Sequence, residues 1–149
     1  IDGSNVQLLE FNSRFGDPEA EVYMRLFDGD LYTTLWHCAT GQLSPADVTW
    51  SDGAAATVIL ASAGYPQSSR KGDKISGLQE AEALDDIVVF HAGTYEEDGH
   101  YYTNGGRVLA VTATGRNLDQ ALEKAYAAVK LISFDGMQYR TDIGRRLGE

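Results

Sequence analysis

The chain has 149 residues, which suits one compact domain or two small ones and is enough to bury a core without disulfides or a structural metal. Twelve basic against 22 acidic side chains leave a formal net charge of -10, a balance that repels phosphate backbones and anionic lipid and so sets aside nucleic-acid and membrane-surface partners. The single cysteine, Cys38, makes no internal disulfide, and there is no apolar run of the roughly 18 residues a membrane span needs, so a reducing, cytoplasmic setting is the reading.

The chain opens on the turn-like Ile1-Asp2-Gly3-Ser4 without an initiator methionine and goes straight into an apolar segment. That reads as the second half of a hairpin, and the chain as a fragment of a longer protein. Residues 6–12 are too short for an independent helix and read as a strand. Asp17-Pro18-Glu19 carries the signals of a helix start: an acidic N-cap, proline at the first turn and a carboxylate near the positive end of the dipole. The helix that follows bears Val22, Leu26 and Phe27 and stops near Asp28-Gly29. A second helix, about residues 30–40, puts Leu31, Leu35, Trp36 and Ala39 on one apolar face and ends at Gly41.

Residues 44–53, with Pro45 and Gly53, are the best linker candidate, and strands dominate beyond them. Residues 54–63 read as a buried strand, 87–91 as another, 95–103 as a hairpin and 107–114 as a third strand. Asn117 caps a helix with Leu118, Leu122, Ala125, Tyr126 and Val129 at helical spacing, and residues 137–140 look strand-like. The fold class is therefore α+β, with a small, mostly antiparallel β domain and a packed helix.

Among chemistry-bearing residues, Glu10-Phe11-Asn12 is the sharpest feature. Residues two apart on a strand face the same way, so Glu10 and Asn12 point together. A carboxylate beside an amide oxygen suits Mg²⁺, and Arg14 follows on the same face, placed for an anion. The same residue types also suit a solvated strand end. Gly105-Gly106-Arg107 is the second candidate, because adjacent glycines let backbone approach a ligand and expose N–H groups; a plain hairpin turn before a surface arginine is the alternative. His37, His91 and His100 are scattered and read as packing or surface residues, and Glu96-Glu97-Asp98 as a solvated turn.

The run Arg14-Phe15-Gly16-Asp17-Pro18-Glu19-Ala20-Glu21, preceded by Leu9-Glu10-Phe11-Asn12, resembles the signature of the glycinamide ribonucleotide synthetases, or phosphoribosylamine–glycine ligases. The resemblance continues through residues 60–66, Lys71-Gly72 with Ile75 and Gly77, residues 89–94, residues 104–113, Ala125-Tyr126 and residues 139–144, in the family's order. Ala63, Gln67 and Ser69 depart from the pattern, all within one loop.

The resemblance implies the C-terminal part of an ATP-grasp ligase: residues 1–45 the end of the ATP-grasp domain and 46–149 the C-terminal domain. It implies an ADP-forming reaction that joins glycine to 5-phosphoribosylamine through a glycyl phosphate, in de novo purine synthesis. The substrates would be ATP, glycine and 5-phosphoribosylamine. By the family pattern Glu10 and Asn12 map onto the ligands of Mg²⁺ or Mn²⁺, Arg14 onto an anion-stabilising catalytic arginine, and Gly105, Gly106 and Arg107 onto a domain that closes over the core and contacts substrate. The chain alone is expected to be inactive. A non-catalytic binding module with the same fold, or another ATP-grasp ligase, are the alternatives.

Overall fold

The structure, a computed structural model, describes Leu8 and residues 13–145. The strand expected over residues 6–12 lies outside the described residues, apart from Leu8. The elements run α1 (Glu19–Leu26), α2 (Leu31–Thr40), a single 3-10 turn (Pro45–Asp47), β1 (Ala54–Ala61), α3 (Leu78–Glu82), β2 (Ile87–His91), β3 (Thr94–Glu97), β4 (His100–Thr103), β5 (Arg107–Gly115) and α4 (Leu118–Val129).

The last strand in the chain is central in space. β5 pairs antiparallel with β1 on one side and β2 on the other, with Val111 opposite both Val58 and Val89. Alternation then puts Val58, Leu60, Val89, Leu109 and Val111 on one face, all within the buried core. Helix α4 closes that face. Its buried residues are Ala121, Ala125, Ala128 and Val129, so the helix lies close on the sheet. Of the apolar positions expected to pack, Leu118 is instead exposed; it is the first residue of α4, at the end of the helix. Asn117 caps α4 as anticipated, its side chain accepting from Gln120 N–H at 2.9 Å.

The other sheet face carries a hydrogen bond between Thr57 and Thr112, 2.8 Å long, and α1 lies against β1 and β5, with Pro18 and Val22 facing Ala55 and Thr57. β3 and β4 form a separate hairpin turning at Asp98-Gly99. Mixed helices and small antiparallel sheets thus agree with the α+β reading.

Several expectations are corrected. Asp17 does not cap α1: the N-cap position is Pro18, with no side-chain cap bond, because the Asp17 carboxylate is committed to Arg107. The buried side of α2 is not Leu31, Leu35, Trp36 and Ala39. Thr34 is its buried residue, while Leu35 and Trp36 are 45% and 56% exposed. Polar bonds dock this helix: Thr34 Oγ1 donates to the Asp47 carbonyl at 2.7 Å, and His37 Nδ1 sits 3.0 Å from Asp47 Oδ2. Residues 137–140 form no strand, only a bridge in which Gln138 and Ala61 exchange backbone bonds. Helix α3 has no counterpart in the sequence reading, since five residues are too few for a periodic signal.

Candidate active site

The strand ends of β1, β2 and β5 bring four loops together. Arg107 starts β5, and the Asn104–Gly106 loop before it folds against Gly93, just after β2. Gly93 N–H donates to the Arg107 carbonyl at 2.9 Å, and Asn104 N–H to the Gly93 carbonyl at 2.7 Å. The approach demands glycine. A Cβ on Gly93 would lie 2.7 Å from Gly105 Cα and from the Arg107 carbonyl oxygen, both backbone. Gly106 is backed by the Tyr65 ring, 2.3 Å from where its Cβ would be.

From β1, Ser62 closes the loop from beneath. It is fully buried, its N–H donating to the Gly106 carbonyl and its Oγ to the Gly105 carbonyl, each at 2.9 Å. Gln138 Nε2 donates in turn to the Ser62 and Tyr65 carbonyls, 3.0 Å each. With both glycine carbonyls turned inward, the Gly105 and Gly106 N–H groups have no hydrogen-bond partner among the described residues. Neither Ser62 nor Gln138 stood out in the sequence; a lone serine at a strand end carries no motif. Nearby, Arg70 bridges Asp73 and Asp135, at 2.7 and 2.6 Å, and anchors the loop that holds the departures Ala63, Gln67 and Ser69.

Arg107 reaches across to the chain's first helix. Its Nη1 donates to the Asp17 carbonyl at 2.8 Å and its Nη2 to Asp17 Oδ2 at 3.0 Å. Pro18, Tyr65, Arg107, Gln138 and Arg140 line a cleft of about 330 Å³ beside this bond, its walls mostly apolar apart from the two arginines. Arg14 is exposed and donates to the Phe15 carbonyl at 2.9 Å, two residues from Asp17. The structure therefore brings Arg14 and Arg107 onto one short stretch of backbone, Phe15 to Asp17. Glu10 and Asn12 lie outside the described residues. Among the described residues no group of three or more His, Cys, Asp or Glu is placed to hold a metal ion, and no helix is long and apolar enough to cross a membrane.

The histidines are more engaged than their spacing suggested. His37 pairs with Asp47, whose carboxyl is held below its ordinary value by the Ser44 N–H and then by His37. His91 Nδ1 is 3.0 Å from Thr94 Oγ1, and its ring packs on Tyr101 at 4.4 Å. Glu96, expected in a solvated turn, faces Tyr101 across the hairpin and pushes its hydroxyl above the ordinary value.

Comparison with known proteins is consistent with this architecture. The chain is 48% identical over 142 residues to a phosphoribosylamine–glycine ligase of Synechocystis, an alignment covering 95% of this chain and 34% of that protein. It is 48% identical over 141 residues to the trifunctional purine biosynthetic protein adenosine-3 of Bos taurus, covering 94% of this chain and 14% of that one. The crystal structure of a phosphoribosylamine–glycine ligase from Thermotoga maritima superposes with a TM-score of 0.74 at 35% identity, over 89% of this chain and 32% of that chain. This chain thus spans about a third of the length of the phosphoribosylamine–glycine ligases it matches. Residues 55–146 match the model of the phosphoribosylglycinamide synthetase C domain, and the chain belongs to that family.

Proposed function

We propose that the chain is the C-terminal part of an ATP-dependent phosphoribosylamine–glycine ligase, acting in the cytoplasm in purine synthesis. Residues 1–45 would complete an ATP-grasp domain and 46–149 would form the C-terminal domain that closes on it. The observation that carries this reading is the Arg107–Asp17 contact. It ties the glycine loop of the family-matched domain to the segment bearing Arg14, so both candidate anion-binding groups serve one corner.

In this reading Glu10 and Asn12 hold Mg²⁺ or Mn²⁺, for which a carboxylate and an amide oxygen are a fitting hard-donor set; the ion supplies charge neutralisation at the ATP phosphates. Arg14 faces the charge that develops on the transferred phosphoryl group, a role suited to a guanidinium, which keeps its proton. A glycine carboxylate oxygen attacks the γ-phosphorus and the bond to ADP breaks, giving glycyl phosphate and ADP. The amine of 5-phosphoribosylamine then attacks the acyl carbon, loses a proton, and expels inorganic phosphate. Gly105, Gly106 and Arg107 bind substrate at the corner. Positioning and charge stabilisation carry most of such a reaction.

Glycine labelled with ¹⁸O in its carboxylate tests the order of bonds in the whole ligase. One of the two labelled oxygens should appear in the released phosphate, with the other kept in the amide product. Unlabelled phosphate would exclude the acyl phosphate route.

A further inference from the structure

The Gly105–Gly106 peptide has a defined direction, and one side chain sets it. The peptide is trans, so its C=O and N–H point opposite ways. The Gly105 carbonyl accepts from the hydroxyl of Ser62, which is 0% exposed, so the Gly106 N–H is aimed away from the core. No described residue accepts that N–H. The next residue in the chain is Arg107, whose guanidinium has five N–H donors and gives two of them to Asp17.

We infer that Ser62 is a positioning residue: it turns the Gly105–Gly106 peptide so that the Gly106 N–H and the free edge of Arg107 together hold a phosphate monoester. The inference rests on the reading of Gly105, Gly106 and Arg107 as substrate-binding, and assigns them the phosphate end of a phosphorylated sugar. Three observations converge on Ser62. Its N–H and Oγ bond two successive carbonyls, which fixes the tilt of the loop as well as its position. Its own carbonyl is held by Gln138, so the serine cannot shift with the loop. From the other side Gly93 is packed on Gly105 with no room for a Cβ, which blocks the loop from relaxing toward β2. Consecutive N–H groups beside a guanidinium form an anion site, and the planar fork of arginine matches a phosphate's oxygens.

A serine that merely satisfied a buried carbonyl would predict something different. Its removal would then lower stability and leave anion binding alone.

The test is a ¹H–¹⁵N titration of the 149-residue chain with inorganic phosphate and with ribose 5-phosphate, followed at the Gly105, Gly106 and Arg107 amides. In the wild type both anions should move the Gly106 signal saturably, ribose 5-phosphate at the lower concentration. Ser62→Ala should weaken that response about tenfold, the scale of a lost hydrogen bond to a charged group. Ser62→Thr, which keeps the hydroxyl, should restore most of it. Gln138→Ala, at an exposed position, should weaken it severalfold and serves if Ser62→Ala does not fold. A folded Ser62→Ala that binds both anions like the wild type overturns the positioning role and leaves the substrate-site reading intact. A wild type whose Gly105–Arg107 amides respond to neither anion overturns both.

Discussion

Arg107 grips Asp17 with both ends of its guanidinium, one nitrogen 2.8 Å from the carbonyl oxygen and the other 3.0 Å from the carboxylate. The two residues are 90 positions apart. Both are partly exposed, at 37% and 53% of the side chain, so the pair is worth about 1 kcal/mol or less to folding. Its importance is geometric: it fixes where the Arg14–Glu19 stretch meets the glycine loop. Arg107→Lys cannot reproduce the two-pronged bond. In the full-length protein that variant should lose at least tenfold in the proposed ligase turnover, while its melting temperature shifts by only a few degrees. Thermal melts beside steady-state rates check the split.

If Glu10 holds the metal ion as proposed, Glu10→Ala in the full-length protein should cut turnover at saturating ATP and Mg²⁺ by 100-fold or more, because losing that ligand would remove several kcal/mol of charge stabilisation. Circular dichroism should be unchanged. Rates near wild type would take Glu10 out of the metal site.

Gly93→Ala places a methyl 2.7 Å from Gly105 Cα and from the Arg107 carbonyl oxygen. Backbone lies on both sides, so the loops must part. The cost should be about 1–3 kcal/mol of stability, the usual range for overpacking, together with a weakened Gly106 response to phosphate. Denaturant melts and the amide titration measure the two effects separately.

The core itself is tested by Leu60→Ala. Leu60, on β1, is fully buried in the core, and truncation there should cost about 2–5 kcal/mol in urea unfolding with the slope unchanged.

Acid should loosen specific ties first. The Asp86 carboxyl is held below its ordinary value of 3.8 by its hydrogen bond and charge pairing with Lys124, and Asp47 likewise by the Ser44 N–H and His37. A carboxyl whose folded value is lowered binds its proton more readily when unfolded. Its stabilisation is therefore complete above the ordinary value and disappears as pH falls through the folded one. Unfolding curves should show stability declining below about pH 4, and Asp86→Asn should flatten that decline.

Much of this architecture is legible in the residues. Asn117 as a cap, Gly41 as a left-handed helix end, and the 87–91 and 107–114 strands follow from local chemistry and appear as anticipated. Apart from α3, too short to show a period, the failures that bear on the site share a cause, which is that the partner is remote. Asp17 looks like a cap until Arg107 claims its carboxylate. Trp36 looks like core, because nothing local reveals that α2 docks through Thr34 and His37. Gly105, Gly106 and Arg107 were visible as a motif, but Ser62, which shapes them, was not, since its role depends on a contact across 43 positions.

The most direct test of the central claim is ADP formation by the full-length protein, with this chain alone as the comparison. The full-length protein should sustain ADP release over many turnovers only when glycine and 5-phosphoribosylamine are both present, with glycinamide ribonucleotide formed in equal amount, and the 149-residue chain should release none. Sustained ADP release by the full-length protein that needs no glycine or is not matched by glycinamide ribonucleotide, or turnover by the isolated chain, would contradict the account.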